Sequence, residues 1–125
     1  MKTSIQDIAL AFSGGKFDQV YPFLTERTQW NIVGENIYQG KAAIMEFCER
    51  TAAYFSEVIT VFTLGNLVVG ENSVAIDGTA EFIGSDGKHS HISSCDVYRF
   101  EDGMLLQINS YCIRETPRKP APTAM

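Results

Sequence analysis

From Glu57 to Ile113 apolar and polar positions alternate in four long runs, about Val58 to Val69, Val74 to Ile83, Lys88 to Phe100 and Met104 to Ile113. A period of two marks strands. The connections GENS, GSDG and EDG carry the turn chemistry of hairpins. Gly65, inside the first run, predicts a bulge that lets a sheet curl. Ahead of the strands the period changes. Ile5, Ile8, Ala9 and Phe12 recur at helical spacing, with Thr3 and Gln6 as a capping box and Gly14-Gly15 as a stop. Phe17, Val20, Tyr21 and Leu24 predict a second, shorter helix with Pro22 near its end. Thr28 to Val33 reads as a short strand that Gly34-Glu35-Asn36 turns back through Ile37 and Tyr38. Gly40 then opens a third helix, with Ile44, Phe47, Cys48, Thr51, Tyr54 and Phe55 on one face. Helices first and antiparallel strands after predict an α+β fold with room for a pocket between the two.

Alternation also divides each strand into two sides. With Ser85 and Asp86 as the central pair of a two-residue hairpin, Phe82 faces His89, Ala80 faces His91, Gly78 faces Ser93 and Ile76 faces Cys95. Asp77, Thr79 and Glu81 then share the other side with Ser90, Ile92, Ser94, Asp96 and Tyr98. Periodicity alone would turn this carboxylate-bearing side to solvent.

Composition narrows the class. The 125 residues suit one domain with one core, expected over 1–114, and the Pro-rich end, 115–125, reads as a mobile tail. A net charge of -5 argues against nucleic acid or an anionic membrane as partner. Cys48, Cys95 and Cys112 are odd in number and widely spaced, which fits reduced thiols and a cytoplasmic location. The N-terminal apolar run is too short for a signal peptide, and nothing approaches a membrane span.

The run WNIVGENIYQGKAAIMEF resembles the strand, turn and helix start of the nuclear-transport-factor-2-like superfamily. The ending CDVYRFEDGMLLQINSY resembles its closing hairpin. The resemblance covers roughly Ile5 to Ile113 and is to the polyketide cyclase and ketosteroid isomerase branch. It implies a cone of highly curved antiparallel sheet wrapped around three N-terminal helices, with one internal pocket. It also implies positions. The oxyanion-hole aspartic acid of ketosteroid isomerases falls on Asp96, and their catalytic base falls on Asn31, an amide that cannot take up a proton as a carboxylate does. Their first-helix tyrosine aligns near Asp7 or Ile8, where no tyrosine stands. Ketosteroid isomerase activity itself is therefore not expected.

The match turns Asp96 inward, toward Phe47, Cys48 and Thr51 of the long helix and Cys112 of the last strand. Asp96 is the candidate acid or hydrogen-bond donor, with a pKa raised by burial. Asn31, Thr79, Ser94 and Tyr98 join those four as candidate ligand contacts, although core filling is the favoured role for Tyr98 and a packed thiol the favoured reading of Cys48. Asp77 and Glu81, on the same expected inner side, could replace the missing base or stand at a solvated rim. His89 and His91 project the same way along their strand, which suits a metal pair, yet no third ligand is placed beside them. No metal or cofactor is expected. Three functions follow: cofactor-independent isomerisation, cyclisation or dehydration of a hydrophobic carbonyl compound, binding of an apolar metabolite without turnover, or a structural dimerisation domain. Val74, Ile76, Ala80 and Phe82, with Cys95 and Val97, would form an apolar outer face that a second copy covers as a homodimer.

Overall fold

The computed structural model describes residues 3–116. Helix α1 runs over Ile5–Ser13, and Ser4 rather than Thr3 caps it, its Oγ accepting from the Asp7 amide at 3.1 Å. Ile8, Ala9 and Phe12 form its buried stripe. The expected second helix is two short 3₁₀ turns, Phe17–Gln19 and Tyr21–Phe23. Pro22 lies within the second and has no N–H to continue an α-helical ladder. Strands β1 (Gln29–Ile32) and β2 (Asn36–Gln39) come next, followed by the long helix α2 (Lys41–Glu57). Then come β3 (Ile59–Val69), β4 (Ser73–Ile83), β5 (His89–Glu101) and β6 (Met104–Glu115).

The six strands form one sheet in the order β2-β1-β6-β5-β4-β3. Every neighbouring pair is antiparallel except β1 on β6, which is parallel. The sheet is curved and unclosed, with β2 and β3 as its edges. Its inner face packs on α1 and α2 over a core that includes Ile8, Phe12, Trp30, Ile44, Cys48, Tyr98, Leu105 and Ile108. Buried polar groups are paired: Thr28 Oγ1 donates to the Leu105 carbonyl at 2.6 Å, and Trp30 Nε1 to Ser110 Oγ at 2.9 Å.

The curl has a local cause. The β3–β4 register shifts between Leu64 and Asn66, so Gly65 is the extra residue of a bulge. A side chain on the facing Gly78 would run into the Thr63 carbonyl oxygen, so only glycine lets the strands approach this closely.

Two expectations are corrected. The β4–β5 turn is not a two-residue loop. Gly87 takes a left-handed conformation (φ 81°), and the Gly84 amide donates to the Lys88 carbonyl. This makes a three-residue loop, Ser85 to Gly87, closed by a glycine bulge. The extra residue moves the register by one: Ile83 pairs with His89, Phe82 with Ser90, Ala80 with Ile92 and Ile76 with Asp96. Val74, Ile76, Ala80 and Phe82 are therefore buried core residues and not an outer apolar face. Asp77, Thr79 and Glu81 go to the outer face. The second correction is the tail boundary, since Glu115 is still in β6, opposite His91. The expected tail from 117 onward lies outside the described residues.

Candidate functional site

A cavity of about 480 Å³ opens between the inner face of the sheet and the two helices. Aromatic rings form a large part of its wall. Phe12 meets Trp30 edge to face at 4.8 Å, and Trp30 in turn meets Phe47 at 5.3 Å. Toward the other end Phe55 stacks on Phe82 at 5.5 Å and meets Phe62 at 5.4 Å. Each of these rings packs on a neighbour in the edge-to-face, tilted or stacked geometries that aromatic pairs favour.

Asp96 is the acidic group set among this apolar wall. Strand alternation on β5 points it inward with Ser94, and both line the cavity. Ser13, the last residue of α1, donates from Oγ to Asp96 Oδ2 at 2.8 Å. Tyr98, completely buried, places its hydroxyl 2.5 Å from Ser13 Oγ and 3.4 Å from Asp96 Oδ2. Burial raises the pKa of Asp96, and the hydroxyls of Ser110, Ser13 and Tyr98 pull it partly back. The net direction is upward, toward the neutral acid. Tyr98 is itself pushed well up by burial and then by the neighbouring Asp96 charge, so it stays a neutral phenol. The arrangement anchors Oδ2 through Ser13 at the cavity wall.

The other sequence candidates separate into two groups. Phe47, Thr51, Ser94 and Cys112 join Asp96 at the cavity wall. Burial followed by the Asp96 charge pushes the Cys112 thiol up to about 11, so it stays protonated near neutral pH. Cys48 and Tyr98 are fully buried behind the wall, and burial raises the Cys48 thiol to about 12. Thr79 lies on the outer face with Asp77 and Glu81 because of the corrected register. Asp77 there accepts from the Asn66 amide at 2.9 Å, and Glu81 pairs with His89, so neither reaches the cavity to act as a base.

Asn31 also stands outside. Trp30 and Ile32 are buried and line the cavity, so alternation turns Asn31 to the opposite side of β1. The position matched to the isomerase base therefore neither carries a carboxylate nor faces inward.

Sequence reasoning missed Ser13, Ser110, Glu35 and Arg114. Ser13 has no motif and sits 83 residues from its partner Asp96. Ser110 takes the Trp30 indole hydrogen bond beside Asp96, its direct partner across β5 and β6. Its inward side could have been read from alternation along β6. Glu35 and Arg114 are exposed residues that bring charge to the cavity rim.

The chain matches the family model described as SnoaL-like domain over residues 5–108. A solved structure from Cytophaga hutchinsonii, an NTF2-like protein of unknown function, is 36% identical, with a TM-score of 0.78 over 85% of this chain and 93% of that one. A putative SnoaL-like polyketide cyclase from Shewanella denitrificans is similar in fold, at 15% identity and a TM-score of 0.69 over 86% and 89% of the two chains. An LEH-like epoxide hydrolase of M. tuberculosis, at 16% identity, has a TM-score of 0.62 over 83% and 75%. No curated protein matches the chain.

Proposed function

The chain belongs to the SnoaL-like domain family, and from that premise we propose that its cavity takes a small hydrophobic carbonyl compound, with Asp96 as acid or hydrogen-bond donor. The reaction class is cofactor-independent isomerisation, cyclisation or dehydration. One observation carries this reading: a carboxyl group with a raised pKa lies in an aromatic wall, anchored through Oδ2 by Ser13. A neutral acid there donates a hydrogen bond to a carbonyl oxygen and stabilises the charge that develops on it without water reorganising around it. Ketosteroid isomerase is the known case of a carboxylic acid kept neutral so that it can donate in this way, and the chemistry is taken over from it. The apolar rings supply affinity by removing ligand surface from water.

Binding without turnover is the second reading, and the outward-facing Asn31 favours it, because no carboxylate stands at the isomerase base position. A cavity of about 480 Å³ weighs against a purely structural domain with a filled interior. The chain has one tryptophan, Trp30, in the cavity wall, and this gives a direct assay. Titration with 2-acetylnaphthalene should change Trp30 fluorescence saturably. Exchange of the ketone's α-protons in deuterated water, followed by NMR, separates the readings: protein-accelerated exchange supports catalysis, and saturable binding without it supports a binding protein. No fluorescence change up to the ketone's solubility would remove both.

Pairing with a second copy through the outer face of the sheet belongs to the same proposal, on residues other than those first expected. Ile59, Val61, Val68, Tyr111 and Ile113 lie on that face and are exposed. Four strands of about eleven residues, at ~3.4 Å rise and ~4.8 Å spacing, present roughly 700 Å². A standard interface takes about 800 Å² from each partner. A cytoplasmic location is also proposed, supported by three free thiols. No helix among the described residues is long and apolar enough to cross a membrane.

A further inference from the structure

The chain has two histidines, and the β4–β5 register brings both beside one carboxylate. His89 and His91 project from the outer face of β5, their rings 6.3 Å apart with planes inclined by 22°. Glu81 on β4 is the direct partner of His91, and its Oε1 shares a hydrogen bond with His89 Nδ1 at 2.7 Å. One ligand atom from each of the three lies within 4.8 Å of the other two. We propose that Glu81, His89 and His91 form a binding site for a divalent first-row transition ion such as zinc, nickel or copper.

The donor set selects the ion. Two imidazole nitrogens and one carboxylate suit zinc, nickel and copper, whereas magnesium and calcium take oxygen ligands. Metal bonds of about 2.0 to 2.2 Å in a tetrahedron hold their ligand atoms about 3.4 Å apart. The three atoms therefore need only small rotations to close on an ion. The side chains are free to make them, since those of His89 and Glu81 are 50% and 34% exposed. The ion takes the place of the hydrogen bond between Glu81 Oε1 and His89 Nδ1, and the neutral imidazole carries its proton on the other ring nitrogen. Glu115 stands opposite His91 on β6 and adds a further carboxylate to the same face. Ligands come from both β4 and β5, so an ion clips the hairpin next to its turn. The site lies on the side of the sheet away from the cavity, so it is separate from the cavity chemistry proposed above, and it shares the outer face proposed to pair with a second copy, where Val61 is the direct partner of Glu81.

Proton NMR of the untagged full-length chain tests this directly, because both ring signals belong to the proposed site. Zinc chloride should shift the two histidine signals in step and saturate at one equivalent, with copper binding tighter and magnesium causing no change. His89→Ala and His91→Ala should each weaken zinc binding at least about ten-fold by calorimetry, the lower range for losing even an outer-shell partner. Cys95→Ser, which removes the thiol on the same face, should leave it unchanged. Zinc that moves only one ring signal or neither would overturn the proposal. So would an affinity that survives both histidine substitutions or goes with Cys95 instead.

Discussion

Asp96 is the residue on which the proposed chemistry rests, and its burial has a consequence for stability. A carboxyl whose folded pKa is raised contributes stability that is fully present below its unfolded value, near 3.9, and is lost as pH rises through the folded value. Asp96→Asn removes the ionisation while keeping an oxygen that can accept from Ser13. The variant should therefore gain stability over wild type at pH 8, by about 1.4 kcal/mol for each pKa unit of the shift. The gain should shrink to nothing toward pH 3. Urea unfolding of both proteins across that range checks this, and parallel stability curves would contradict it. Asp96 was legible because it lies in a motif, CDVYRF. Its anchor was not. Ser13 ends a helix with nothing local to mark it, and only the packing of α1 on β5 brings its hydroxyl to the carboxyl.

The elements were read well and their pairing was not. Each of the four long strands lies within about two residues of its alternating run, because period-two patterning and turn residues act locally. Register depends on one loop residue. Gly87 in the left-handed conformation adds a position to the turn, and that moved every β4 side chain to the other side relative to β5. Phe82 and Ala80 thereby became cavity wall, while Thr79 and Glu81 became outer surface. The segment 17–24 failed for a different reason: helical spacing over so few residues cannot distinguish an α-helix from successive 3₁₀ turns. The bulge at Gly65 was legible, and it has a consequence at the facing strand. Gly78→Ala should destabilise by about 1 to 3 kcal/mol, since its methyl group meets the Thr63 carbonyl and backbone must shift. A thermal midpoint within a degree of wild type would show that the strands can separate without cost.

At the scale of the molecule each face of the sheet has a proposed role. The outer one exposes Val68, Tyr111 and Ile113 and is the face proposed to pair with a second copy. Tyr111→Glu should then convert a dimer to a monomer in light scattering at micromolar concentration, by burying an unpaired charge from each copy in an apolar contact. A wild-type chain that is already monomeric would refute the pairing. The inner face holds the central claim, that Asp96 meets the carbonyl oxygen of a ligand inside an aromatic cavity. Family resemblance made the curved sheet and inward Asp96 legible; the cavity's volume and open wall follow from packing and could be read only from the structure. The most direct measurement is the dissociation constant of 2-acetylnaphthalene from Trp30 fluorescence in wild type, Asp96→Leu and Asp96→Asn. Leucine, which keeps the bulk and removes the donor, should weaken binding by about 1 to 3 kcal/mol, and asparagine, which still donates, by less. Equal affinity for all three proteins would contradict the claim.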